Sequence, residues 1–227
     1  YENLEFVEAL RILAKRTGVQ LKQSDFQAGT SGKKEIIYRL NKAALNFYHY
    51  VLTHHKAGKK ALTYLLDERK LDARLIETFM IGFSPKDGVD LSNYLINKKK
   101  YKKEDLIEAG LAFYGRGPST LRQAQGSGQA GVLDFFRGRV MFPLFDHRDN
   151  VVGFSGRAID EDYSGGKYIN TRDTLVYHKG SMFFGLNTAK EEIKKLDKAV
   201  IVEGELDVIS CYSIGVKNIV AVKGTAL

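Results

Sequence analysis

The stretch Ala199-Val200-Ile201-Val202-Glu203-Gly204-Glu205-Leu206-Asp207-Val208-Ile209 decides the reading of the fold. A short β-branched run stops at an acid and a glycine, and a second acid follows four residues after the first. Such a run reads as a buried strand of an α/β sheet, whose carboxyl end is where ligands are received. A helix over 205–213, a stop at Gly215 and a second strand over 218–222 complete a βαβ unit, and its two strands must run parallel. Glu203 then sits at a strand end, and Asp207 lies on the first turn of the next helix.

That position suits a divalent cation held against a phosphate. Magnesium takes a few carboxylate oxygens and keeps several waters, so Glu203 is a candidate ligand that needs further acids from other strand ends. Asp207 could orient a metal-bound water or a basic side chain. Both acids, and Glu205, have a local alternative, since acids near a helix N-terminus are favoured by the macrodipole in any case. The pattern alone leaves the two readings open.

Upstream, Val140 to Phe145 and Val151 to Phe154 flank the turn Asp146-His147-Arg148-Asp149-Asn150, which predicts a β-hairpin, with Pro143 demoting its strand to an edge or a bulge. Short extended pieces follow at 167–170 and 182–184, after a polar loop with Gly165-Gly166, and then a helix over 187–196. Earlier still the periodicity is helical: Ile36, Ile37, Leu40, Ala43, Ala44, Phe47 and Val51 mark one long helix. Shorter ones are expected over 61–66, from the cap Asp72 to Phe79, over 91–97 and over 104–109. The fold class is α/β, an α+β portion leading into the βαβ unit.

Phe6, Val7, Leu10, Leu13 and Ala14 predict an amphipathic helix ending at Gly18. Residues 1–18 read as the trailing helix of an upstream domain, 19–34 as a linker, 35–196 as the main subdomain and 197–227 as the start of another. The stretch 116–130, rich in Gly, Gln and Ser, reads as a mobile surface insertion.

The 227 residues carry a formal net charge of +8, which favours an acidic partner such as nucleic acid. Arg137, Arg139, Arg157, Lys167 and Lys179 lie interleaved with Phe142, Phe145, Phe154, Tyr168 and Tyr177. A single-strand-binding groove needs such a mixture, although aromatics at alternating strand positions equally suit a core. Lys98-Lys99-Lys100 with Lys102-Lys103 reads as a solvated face. The lone Cys211 excludes a disulfide within the chain and a multi-cysteine zinc site. The adjacent His54 and His55 point apart on a helix end, against a metal site there. A P-loop and a serine nucleophile elbow are absent from the sequence. With no charged-then-apolar leader and no apolar stretch of membrane-spanning length, the expected location is cytoplasmic.

Three ordered motifs resemble the bacterial replicative DNA primases of the DnaG type. Arg137-Gly138-Arg139-Val140-Met141-Phe142-Pro143-Leu144, with Gly153-Phe154-Ser155-Gly156-Arg157, resembles that family's hairpin. Lys167-Tyr168-Ile169-Asn170-Thr171, His178-Lys179-Gly180 and Phe184-Gly185-Leu186 resemble its next stretch. Val202-Glu203-Gly204-Glu205-Leu206-Asp207-Val208 resembles the opening of its TOPRIM catalytic fold, shared with topoisomerases.

The resemblance implies a DNA-templated RNA polymerase that makes short primers on single-stranded DNA by metal-dependent nucleotidyl transfer. Glu203 would coordinate Mg²⁺ or Mn²⁺ and act with Asp207 in catalysis. Arg137, Arg139, Arg157, Lys167, Tyr168, Asn170, His178, Lys179, Lys223, Gly224 and Thr225 would contact template and nucleotide. Implied partners are single-stranded DNA, ribonucleoside triphosphates, an RNA–DNA primer duplex and a replicative helicase reached through a separate C-terminal domain, the protein acting as a monomer. Zinc would belong to the family's N-terminal ribbon domain, of which only a trailing helix is expected in residues 3–17. Glu205-Leu206 departs from the family's aromatic–methionine pair, and the 116–130 insertion is unusual. The family's later Asp-x-Asp ligands would fall after Leu227, so these 227 residues alone are expected not to polymerise. Alternatives are a non-catalytic single-strand-binding module and another TOPRIM enzyme, a topoisomerase or a nuclease.

Overall fold

The structure, a computed structural model, describes residues 13, 14, 16, 28–115, 131–160 and 166–223. The chain divides into a unit of residues Tyr1–Glu35 and a larger one of Ile36–Leu227. In the first, Leu13, Ala14 and Arg16 are helical; the rest of the helix expected before Gly18, residues 19–27 of the expected linker and the 116–130 insertion lie outside the described residues.

The helices are α1 (Ala28–His54), α2 (Lys59–Thr63), α3 (Ala73–Thr78), α4 (Asp90–Asn93), α5 (Lys103–Glu108), α6 (Leu186–Leu196) and α7 (Glu205–Ser213), with π-helical turns at Tyr64–Glu68 and Tyr94–Lys98. The strands are β1 (Gly82–Ser84), β2 (Ala112–Tyr114), β3 (Val132–Asp134), β4 (Arg139–Phe145), β5 (Val151–Ala158), β6 (Tyr168–Asn170), β7 (Phe183–Phe184), β8 (Val200–Val202) and β9 (Ile219–Val222). They form a four-stranded sheet ordered β1-β4-β5-β6, a pair β2-β3 and a three-stranded sheet β7-β9-β8.

The linker expectation fails at its end, because α1 starts at Ala28. Extending a helix already nucleated by its amphipathic part costs only propagation, and Lys33-Lys34-Glu35 propagate well despite the glycines before them. Asp72 caps α3 as expected, its carboxylate accepting the Arg74 N–H at 2.8 Å. The strands β1, β2 and β3 are too short to leave a periodic signal, and the sequence does not announce them.

Hairpin β4–β5 organises the larger unit. It pairs antiparallel from Arg139 opposite Ala158 to Phe145 opposite Val151, with a register shift between Leu144 and Phe145. Pro143 is tolerated because β1 pairs only with Arg139, Val140 and Met141, so that β4 is an edge again at the proline. Both faces are buried. Val140, Phe142 and Leu144 enter one core, with Val51, Leu52, Leu65, Ile76 and Phe184. Met141, Val151 and Phe154 enter the other, with Leu40, Tyr48, Leu91, Leu106 and Phe136. Each such buried aromatic or aliphatic side chain contributes roughly 2 kcal/mol. Gly82 allows β1 to lie directly on α1, since a Cβ there would come 2.6 Å from Tyr48.

The predicted βαβ unit is present: β8 and β9 pair in parallel, and α7 connects them. Its core is not separate, because Val208, Ile209, Ile219 and Ala221 share the first core with β4. One expectation is corrected. The run at Ala199–Val202 is not a buried strand among the described residues: β8 is the edge of its sheet, and Ile201 is 49 % exposed. The buried parallel strand is β9, since an apolar β-branched run identifies a strand without telling centre from edge.

Buried Asp134 links β3 to α4. Its carboxylate accepts the backbone N–H of Leu91 at 3.0 Å and of Ser92 at 2.9 Å, and the Ser92 hydroxyl as well. Burial pushes its pKa up to about 6 against these three bonds. Between its ordinary value and about 6 the folded state binds the extra proton, so this group's contribution falls as pH rises through that window, by roughly 3 kcal/mol in all. Asp134→Asn should flatten this slope. Urea midpoints of parent and variant at pH 4, 5 and 6 measure it, and identical slopes would mean that another group is responsible.

Candidate active site and basic face

The acid–glycine turn follows β8. Gly204 is the N-cap of α7, and the Asp207 carboxylate accepts its N–H at 3.1 Å. Asp207 therefore fixes the turn that carries Glu203, a capping arrangement. Glu203 is exposed, and no described residue pairs with its carboxylate. A free, hard oxygen donor at a strand end fits a divalent cation. Among the described residues no three His, Cys, Asp or Glu side chains come together as a metal-binding group, so Glu203 would supply one position of such a site.

Glu205, the departure from the family pattern, is 2 % exposed and forms an ion pair with Lys223, itself 7 % exposed at the end of β9. A buried charge is tolerated only when paired. The Lys223 N–H also donates to Met182 O at 3.1 Å, tying β9 to the segment after His178-Lys179-Gly180. The Glu205 charge helps raise the pKa values of Tyr168 and Tyr177, each of them raised chiefly by burial, Tyr177 to about 12. The acidic turn and the tyrosines of the basic stretch are therefore electrostatic neighbours. Gly224 and Thr225 lie outside the described residues.

Strand alternation sorts the basic candidates. Arg157 is opposite Val140 in the register, so Arg139, one residue away, projects to the other face. There Arg139 is 1 % exposed and donates to Gly156 O at 3.1 Å, Lys167 O at 3.2 Å and Gly166 O at 2.8 Å. Gly156 leaves it room, as a Cβ there would lie 3.1 Å from the Arg139 Cδ. The expectation that Arg139 lines the phosphate track does not fit this position; its guanidinium anchors the loop that presents Lys167.

Arg157 faces the first core with Tyr168 directly opposite it in β6, and it donates Nη1–H to the Tyr168 hydroxyl at 2.6 Å. Its guanidinium lies 5.3 Å from the Tyr168 ring centre and 5.5 Å from that of Tyr64. Asn170 shares this face, two residues on, opposite Ser155. Ser155 Oγ, Asn170 Oδ1, Arg157 Nε and Tyr177 Oη are all buried with no hydrogen-bond partner among the described residues. Such atoms are costly unless something else satisfies them, which marks this face as polar and receptive. Lys167 and Lys179 are exposed, as is His178, 3.9 Å from Asp173. Arg137 lies apart from Arg157, half-buried with its guanidinium 5.8 Å from the Phe113 ring. Sequence reasoning does not single out Tyr64, because a half-buried tyrosine on a helical segment carries no distinguishing signal.

Residues 47–190 match the family described as DNA primase catalytic core, N-terminal domain, and residues 197–227 match the Toprim domain. The DNA primase of Deinococcus radiodurans is 38 % identical over 226 residues, covering 100 % of this chain and 35 % of the relative. The RNA polymerase domain of Mycobacterium tuberculosis primase DnaG, solved with a double-stranded DNA oligomer bearing a 6-nucleotide overhang, matches at a TM-score of 0.75 and 34 % identity, over 85 % of this chain and 56 % of that one. A DnaG primase catalytic domain bound to single-stranded DNA matches at a TM-score of 0.71 and 28 % identity, over 86 % and 56 %. The chain thus spans about a third of the length of the curated relatives it matches.

Arg139→Leu should cost roughly 3 kcal/mol, since it strips the donors from three carbonyls inside the protein. Thermal denaturation measures the loss, and amide hydrogen exchange should accelerate first around residues 166–168. A variant as stable as the parent would show that the loop needs no anchor.

Proposed function

Since the chain belongs to the bacterial DnaG-type DNA primase family, we propose that it supplies the basic subdomain and the first part of the TOPRIM subdomain of a primer-synthesising RNA polymerase. On this reading residues 35–196 carry the template-binding part and 197–227 open the catalytic part. Residues 1–18 would be the trailing helix of a zinc-ribbon domain. The observation that supports it best is geometric: Glu205, two residues from the exposed Glu203, pairs with Lys223, and the Lys223 N–H bonds to Met182 O, which ties the acidic turn to the segment following His178-Lys179-Gly180.

In nucleotidyl transfer a primer 3′-hydroxyl, giving up its proton to solvent, attacks the α-phosphate of the incoming ribonucleotide, the α–β phosphoanhydride bond breaks and pyrophosphate leaves, so negative charge builds on the phosphates. Mg²⁺ or Mn²⁺, when bound, supplies positive charge to the reacting oxygens. Glu203 would hold it, and Asp207 keeps Glu203 in place through the Gly204 cap. Arg157 would bind a phosphate oxygen, with Lys167 and Lys179 as more mobile point charges. Tyr168, 45 % exposed, offers a ring on which a base can stack. His178 and Arg137 would border the strand's path.

Glu203→Gln in the intact protein should lower primer synthesis on a single-stranded template by about a hundredfold or more, the loss of roughly 3 kcal/mol of transition-state stabilisation. Affinity for the template should stay within about twofold, because phosphate contacts dominate it. Primer synthesis at the parental rate would remove Glu203 from the reaction.

A further inference from the structure

We propose that Tyr64, on the π-helical turn after α2, and Arg69, the residue that caps that turn, are positioning residues for Arg157, making its guanidinium a pre-oriented phosphate-binding group. The proposal rests on the reading that Arg157 contacts a phosphate, of the template strand or of the incoming nucleotide.

Four side chains alternate cation and ring. Arg69 is exposed and lies 5.3 Å from the Tyr64 ring centre. Its Nε–H donates to the Tyr64 hydroxyl. Tyr64 then lies 5.5 Å from the Arg157 guanidinium, and Tyr168 lies 5.3 Å from it. Two of the four come from the helical segment and two from β5 and β6, so the ladder couples the helical layer to the sheet face.

An arginine side chain has many rotamers, and a solvated one loses them on binding a phosphate. Arg157 has already lost them. It is 7 % exposed, with the centres of two aromatic rings within 5.5 Å and one nitrogen bonded to Tyr168. Tyr168 takes Nη1, and the guanidinium's remaining donors are left for an anion. Its Nε is a buried donor with no acceptor among the described residues, and a phosphate oxygen reaching it would be the acceptor it lacks. Tyr64 thus acts through Arg157, and Arg69 holds Tyr64 from the far side.

Titrations of a labelled single-stranded oligodeoxynucleotide and, separately, of ATP, on the full chain at one salt concentration, test this and tell the two phosphate sources apart. Arg157→Ala should weaken at least one of these ligands by about tenfold or more. Tyr64→Met, which preserves volume, should weaken the same ligand by about three- to tenfold, whereas Tyr64→Phe, which keeps the ring, should bind within about twofold of the parent. The variant carrying both Tyr64→Met and Arg157→Ala should bind no worse than Arg157→Ala alone, because the two act as one unit. Independent, additive losses would overturn the positioning role. If Arg157→Ala binds weakly and Tyr64→Met like the parent, the ladder is refuted and the phosphate reading stands. If Arg157→Ala binds both ligands like the parent, both fall. One measurement needs no variant to fold: in the parent protein the Arg157 Hε resonance, lying near two rings, should appear upfield of its usual position, and an ordinary shift would refute the clamp.

Discussion

The larger unit depends on hairpin β4–β5 being buried on both faces. A strand with one wet face can carry a polar residue at every second position, but this hairpin has apolar neighbours on both sides. A charged residue placed in it therefore needs a specific partner. Arg139 meets that requirement with three carbonyls, and Arg157 with a tyrosine hydroxyl and two rings. The same alternation sends the two arginines to opposite sides of one sheet. One becomes a brace for a loop, and the other is directed toward the face shared with Tyr168.

A second constraint is electrostatic. Glu205 and Lys223 are both buried, and each is acceptable only because of the other. Their pairing joins the first turn of α7 to the end of β9, immediately beside the turn that presents Glu203. The two acids around Gly204 thus have unlike tasks. Glu205 is sequestered to hold strand and helix together, while Glu203 is left exposed at the strand end, where an acid can meet a cation. Asp207 accepts the Gly204 N–H and so fixes the turn between them.

Much of the architecture was legible because it rests on local patterns. The periodicity of Ile36 to Val51, the Asp72 cap, the turn between the hairpin strands and the strand–helix–strand order after residue 199 are short-range signals, and the observed elements follow them within a residue or two. The start of α1 was misjudged because Gly29 and Gly32 look like linker chemistry, whereas a helix can extend through them once nucleated. Strands β1, β2 and β3 went unseen because three residues cannot display a period of two convincingly, and their pairing partners lie far away in sequence.

The sequence by itself determined the family and the order of the longer elements, and it located the acids and the cluster of basic residues, since those depend on residue type and spacing along the chain. Only the tertiary structure decided which of those residues are buried, paired or left exposed. Register put Arg139 and Arg157 on opposite faces, sheet order among the described residues made β8 an edge and β9 the buried strand, and packing across distant segments paired Glu205 with Lys223 and set Tyr64 against Arg157. Contacts of that kind join residues 18 to 93 positions apart, and no local pattern records them because their energy comes from burial and pairing in three dimensions.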